Sequence, residues 1–181
     1  KLPGKNLVYT GDTMLPNSKL GSVYSYRCYV NIFKSFISNG WQVHVYSIIG
    51  NVAEYGKAGC ITHAAVPEGK ALYREASQYT AGFHGYNKYK VPTAAFNYTQ
   101  TCTPNKTWEY LAAVIPTVGF QSGQSRKIYD GKWGIELQSL DNLDCLSDKL
   151  NSLDINKYRE NEVIDVDAAR LKTVFDLILK R

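Results

Sequence analysis

The residues best placed to do chemistry lie in one run, Thr103-Pro104-Asn105-Lys106-Thr107-Trp108-Glu109. A Thr-Pro step opening a helix makes Thr103 the N-cap and Pro104 the first helical residue, and leaves free backbone N–H groups at the positive end of the helix dipole. Such an end attracts phosphate, and Lys106 adds a full charge beside it. Glu109, one turn on, has the chemistry to accept hydrogen bonds from both hydroxyls of a ribose. The competing reading is a well-capped helix with an exposed Lys and Glu. Asp165-Val166-Asp167 has the shape of a metal-binding pair of acids, but an acidic start to the terminal helix explains it more simply, so no metal is expected. Of the three histidines, His44 falls inside a strand as a packed or surface residue, and only His84 falls at a strand's carboxyl end. No G-x-S-x-G elbow, P-loop or G-x-G-x-x-G is present, which removes the usual support for hydrolase, kinase-like and dinucleotide-binding readings.

The elements that must carry these residues follow from hydrophobic periodicity. Strands are expected at Asn6–Thr10, Gln42–Ser47, Gly59–His63, Ala81–Tyr86, Thr117–Phe120 and Trp133–Leu137. Between them the spacing predicts helices from about Tyr26 to the Asn39-Gly40 stop, over Glu68–Gln78, from Asn105 to Val114, and over Ser122–Asp130. Two helices, Asp141–Leu153 and Ala168–Leu179, form the tail. Residues 87–101 read as an irregular, Tyr/Lys-rich loop. Strands and helices alternate without Asn-Gly hairpin signals, which specifies an α/β domain: a doubly wound, mainly parallel sheet of about six strands with helices on both faces. Ligands of such sheets sit at the carboxyl ends of the strands.

Composition is consistent with this. The 181 residues, 44% apolar and 20% charged, suit one domain spanning 1–181 with a real core. No stretch approaches a membrane span. Lys1 opens the chain and the single Met is Met14, so the sequence reads as an excised piece. Cys28, Cys60, Cys102 and Cys145 are widely spaced without a CxxC pair, which reads as reduced thiols and a cytoplasmic protein. Two glycosylation sequons, at Asn97 and Asn105, lack any supporting secretory feature. The net charge of +5 is uneven, with ten Lys/Arg against four acids in residues 1–90 and eleven against twelve in the rest. A basic half suits an anionic ligand, and without a long basic run or a nucleic-acid motif a phosphorylated small molecule is favoured.

The run Cys102-Thr103-Pro104-Asn105-Lys106-Thr107-Trp108-Glu109-Tyr110-Leu111-Ala112-Ala113-Val114-Ile115-Pro116-Thr117-Val118-Gly119 resembles the nucleotide-sugar-binding segment of GT-B glycosyltransferases of the glycosyltransferase-4-like type, with its P-x-K-x-x-E-Y-L-A-A-G-x-P-V-V pattern. Val66–Tyr73, Ala81–Tyr86 and Ile128–Ile135 fall where the C-terminal domain of that family has corresponding segments. The resemblance covers roughly Asn6 to Leu153 and implies a Rossmann-like C-terminal half. It implies that Glu109 binds the ribose, that Thr103, Asn105 and Lys106 surround the diphosphate, that Gly11 brings backbone close to the phosphates, and that Arg27 is a basic phosphate contact. His84 to Asn87 would lie beside the nucleobase or sugar. Two positions depart from the pattern. Many relatives have a second Glu eight residues before the ribose-binding one, where this chain has Thr101, so a donor-sugar contact and the retaining chemistry of that subtype do not carry over. Val114 replaces the usual Gly, which should tighten the turn before Pro116.

The expected function is therefore donor binding in a glycosyltransferase. A nucleoside diphosphate sugar is the substrate, no separate cofactor is needed, and an N-terminal partner domain supplies the acceptor site, so that the chain alone binds donor weakly and is inactive or weakly active. The alternative is a non-catalytic nucleotide-binding Rossmann-like module. A third reading, nucleic-acid binding through Tyr86, Lys88, Tyr89, Lys90 and Tyr98, competes with a lid-like loop over a phosphate ligand.

Overall fold

The computed structural model describes residues 1–15, 24–47, 52–67, 69–87, 93–102, 104–141 and 143–162. Six parallel strands, β1 (Asn6–Thr10), β2 (Gln42–Tyr46), β3 (Ile61–His63), β4 (Ala81–Gly85), β5 (Thr117–Phe120) and β6 (Gly134–Leu137), form one sheet in the order β3-β2-β1-β4-β5-β6. Order and direction are those of a Rossmann-like doubly wound sheet.

Both faces of the sheet are covered, and the period-2 alternation of the strands shows how. On β1, Leu7 and Tyr9 point into one core and Val8 into another. The first core also takes Ile32, Phe33 and Phe36 from α1 (Val30–Ser38), Tyr55 from α2 (Val52–Lys57), and Leu146 and Leu150 from α7 (Leu146–Asn151). The opposite face packs against Ala76 of α3 (Lys70–Ala76) and Tyr110 of α5 (Asn105–Ala112). A third cluster joins Leu111 of α5, Tyr129 of α6 (Arg126–Tyr129) and Ile155 of α8 (Ile155–Glu162) around Trp133. None of the four cysteines is joined in a disulfide.

Several expected boundaries shift. Residues Thr93–Thr101, read as irregular, form helix α4, whose weakly amphipathic sequence carries little periodic signal. The short α2 was hidden for the same reason. Arg27 lies not in the first helix but in a 3-10 turn, Ser25–Arg27, that precedes it. The expected 122–130 helix divides into a 3-10 turn, Gly123–Ser125, followed by α6. Pro104, with extended backbone, takes the N-cap position of α5, so helical geometry starts one residue later than the Thr-Pro signal placed it. Thr103 lies outside the described residues, as do Asp165–Asp167 and the expected Ala168–Leu179 helix. Val114 stands at φ 57, the left-handed conformation that glycine usually supplies after a helix, at a cost of about 1–2 kcal/mol for a residue with a Cβ.

Candidate functional site

The strand order reverses between β1 and β4, and the carboxyl ends of these two strands leave the crevice where open α/β sheets bind ligands. The start of α5 is brought to the same edge by Tyr110. Its hydroxyl accepts from the Thr10 N–H at 3.2 Å and donates to the Val8 carbonyl at 3.3 Å. Its ring lies flat against Gly82 of β4, where an added Cβ would come within 2.3 Å of ring carbons. No larger residue at 82 leaves room for that approach. Tyr110 thus fixes both the height and the rotation of α5, and the polar residues of its first two turns inherit their positions.

Lys106, one turn before Tyr110, reaches across Gly11 just beyond β1. A Cβ at Gly11 would lie 2.3 Å from Lys106 Cε and 2.4 Å from Nζ, so the glycine is the gap through which the side chain passes. The ammonium sits 5.4 Å from the Tyr9 ring centroid. Burial lowers its pKa from the ordinary lysine value and the Arg27 charge lowers it too, while Glu109 and Asp12 act in the other direction. Arg27 enters from the turn before α1, 3.4 Å from Asp12 Oδ2 and within 5.7 Å of the Tyr24 and Tyr26 ring centroids. His84 closes the far side. Its Nδ1 is 3.1 Å from Thr107 Oγ1, and its Nε2 is buried without a hydrogen-bond partner. Burial, reinforced by the Lys106 charge, pushes the imidazole pKa down to about 3, so the ring is neutral at physiological pH. A neutral ring carries one N–H, so Nε2 is a donor in the tautomer where Thr107 donates to Nδ1 and an acceptor in the other. These groups surround a cleft of about 30 Å³, lined among others by Tyr9, Arg27, His84, Tyr86 and Lys106. That is space for a water or two rather than a diphosphate.

Glu109 faces the next compartment. Its Oε2 lies 3.4 Å from Thr10 Oγ1, so the carboxylate stands at the carboxyl end of β1. With Asn105 it borders a groove of about 420 Å³ between α3 and α5, lined also by Gly69, Leu72 and Tyr73. The structure therefore gathers Gly11, Arg27, His84 and Lys106 at one small cationic cleft, places Asn105 and Glu109 at an adjoining groove, and does not describe Thr103. Thr101 is exposed on α4 with its hydroxyl on the Asn97 carbonyl at 2.8 Å. Tyr9, Gly82, Thr107 and Tyr110 were missed as parts of this assembly. The available signal was compositional, 14 tyrosines in 181 residues, with no spacing to say which would converge.

Among the described residues no group of three His, Cys, Asp or Glu has the arrangement of a metal site. Of the Tyr/Lys-rich segment, residues 88–90 lie outside the described residues, while Tyr86 is buried and packs edge-on against Tyr26 and Tyr98 at ring-centroid distances of 5.8 and 6.3 Å. A buried ring cannot serve as a stacking platform for a base.

No family model matches the chain, and no curated protein matches it by sequence. Solved structures do match in fold. A UDP-forming α,α-trehalose-phosphate synthase from Burkholderia xenovorans, in complex with glucose-6-phosphate, has a TM-score of 0.50 at 11% identity, covering 88% of this chain and 39% of its own. A GtfA/B complex gives 0.49 at 13% identity, covering 97% and 35%. An E. coli trehalose-6-phosphate structure bound with UDP-2-fluoro glucose gives 0.47 at 10%, covering 98% and 44%. The first of these likenesses is one of fold: the chain shares the architecture of part of that synthase. The chain spans about two fifths of the length of the first structures it matches. No described helix is long and apolar enough to cross a membrane.

Proposed function

We propose that this chain is the nucleotide-sugar-binding domain of a glycosyltransferase, taking a nucleoside diphosphate sugar at the carboxyl ends of β1 and β4. The observation that carries the reading is the convergence of Lys106, Arg27 and the open Nε2 of His84 on the first turn of α5, with Glu109 one turn deeper at the end of β1. The diphosphate would sit against the α5 N-terminus and Gly11, displacing the Lys106 ammonium from its present path and gaining its charge. A phosphate there supplies the opposite charge that offsets the burial now lowering the lysine pKa. The ribose lies toward Glu109 and the base in the groove bounded by Leu72 and Tyr73. As the glycosidic bond breaks, Lys106, Arg27 and the helix dipole stabilise charge building on the departing diphosphate. Acceptor binding and any base belong to a partner domain, so the chain alone binds donor weakly. Four cysteines outside any disulfide suit a reducing, cytoplasmic setting.

A second reading, a nucleotide-binding module without transfer, is favoured by one observation: at the position of the sugar-facing carboxylate Thr101 offers only a hydroxyl, already bonded within its own helix. Calorimetric titration with UDP, GDP, ADP and their sugars tests both. Lys106→Ala should weaken nucleoside diphosphate and inorganic diphosphate alike, by about 10- to 100-fold for one charge-assisted contact. Glu109→Ala should weaken the nucleoside diphosphate about tenfold and leave inorganic diphosphate unchanged. Equal losses for both ligands in Glu109→Ala would remove its ribose role. Equal affinity for a nucleoside diphosphate and its sugar favours the module without transfer.

A further inference from the structure

A cleft of about 630 Å³ opens at the carboxyl ends of β5 and β6, beside the first turns of α1. Its size is that of a small-molecule site. It is distinct from the cationic cleft and borrows none of its charged residues.

Its walls are neutral hydrogen-bonding groups. Asn31 and Ser35 project from successive turns of α1, and Gln121 and Gln138 stand on the segments leaving β5 and β6. A side-chain amide places a donor and an acceptor on adjacent atoms, which matches two neighbouring hydroxyls of a pyranose ring. Phe120, Leu137 and Leu140 supply apolar surface for the ring's C–H face. Formal charge is nearly balanced, since Arg126 and Asp141 both line the cleft. The remaining acid, Glu136, is committed to the wall: one oxygen accepts the Ser122 N–H at 2.9 Å and the other accepts the Tyr129 hydroxyl. An anion therefore finds no excess of positive charge here, in contrast to the Lys106 cleft. Gln121 adds an independent sign of a built wall. It holds φ 54 without being glycine, an expensive conformation of the kind that concentrates at ligand sites.

We propose that this cleft binds a neutral saccharide, a pyranoside of two or more units, through Asn31, Gln121 and Gln138. The site shares the sheet edge with the proposed donor cleft, so a glycan seated in it lies on the side of the domain where transfer would occur. The assignment rests on the cleft's own chemistry and stands whether or not the Lys106 cleft takes a nucleotide.

The test is titration of the 181-residue chain with maltotriose, cellotriose and chitotriose at millimolar concentration, followed by NMR chemical shifts and calorimetry, with UDP in a parallel arm. At least one trisaccharide should bind and shift the resonances of Asn31, Gln121 and Gln138. The double variant Asn31→Leu/Gln138→Leu, both positions being exposed so that folding is preserved, should weaken it about tenfold or more while UDP affinity stays unchanged. Lys106→Ala should do the reverse. Absence of binding by all three trisaccharides, or binding that the double variant leaves intact, overturns the proposal. So does a shared loss of UDP affinity in the double variant, because the two clefts would then be one site. A failure of UDP binding alone overturns the nucleotide reading and leaves the saccharide site standing.

Discussion

Two histidines, His44 on β2 and His84 on β4, are both buried and both have lowered pKa values, yet they stand in opposite situations. His44 is saturated: Nδ1 is 3.0 Å from His63 Nε2, and Nε2 is 3.1 Å from Asn6 Oδ1. Around it Tyr46 donates to Glu75 and meets the Tyr79 hydroxyl, and the Tyr46 and His63 rings stack at 4.4 Å. His84 has one nitrogen on Thr107 and the other buried without a partner, in a ring that lines the cleft with Lys106 and Arg27. Burial pushes His44 down to about 4 and His84 to about 3. A depressed pKa thus reports desolvation in both cases and marks function in neither. What separates the two rings is unspent hydrogen-bonding capacity: His44 has a partner at both nitrogens and His84 at one.

The contrast can be broken at the frame that holds the open histidine's partners. Gly82→Val drives two methyls into the space of the Tyr110 ring and should cost about 3 kcal/mol of stability, read from urea midpoints, with loss of UDP binding as α5 lifts from β1. A fully stable Gly82→Val protein would mean that Tyr110 does not set the helix position. The next effect sets the two histidines against each other. His44→Leu strands the Asn6 carbonyl and His63, and should cost about 2 kcal/mol with no change in UDP affinity. His84→Leu strands only Thr107, should cost about 1 kcal/mol, and should weaken UDP about tenfold. If the two variants behave alike in both measurements, the distinction fails.

The smallest effect is shared by both rings. Each histidine titrates near 6.5 when unfolded and far lower when folded, so below that pH the unfolded chain takes up more protons. The stability associated with the neutral rings is complete above about pH 6.5 and is lost as pH falls toward about 4 for His44 and about 3 for His84. Urea unfolding at pH 7, 6 and 5 (about half-unit steps serve equally well) should show this decline, shallower in His44→Leu than in the parent chain. An unchanged slope in that variant would assign the acid sensitivity to other groups.

The sequence read the fold more completely than the site. Strand positions came through because β1, β4 and β5 are buried on both faces and read as short apolar runs between turn signals. The parallel direction followed from alternation with amphipathic helices such as α1. Helices α2 and α4 escaped because neither carries a strong apolar stripe. In the site, Lys106 and Glu109 were legible because their spacing from a Thr-Pro step is local, within two turns. Tyr110 was quoted in the same run yet its task was not visible, since its partners Thr10, Val8 and Gly82 lie far away in the chain.

Residue types, periodicity and helix-start signals by themselves determined an α/β doubly wound domain and a helix that starts just before Lys106 and Glu109, because these depend on interactions between residues near in sequence. Only the tertiary structure decided that Lys106 passes over Gly11, that Arg27 is shared with Asp12, that Glu109 faces a separate groove from the cationic cleft, and that one buried histidine is spent while the other is open. Each of those outcomes is a balance of desolvation against a partner contributed by a distant strand or turn, and that partner exists only once the sheet order has been set.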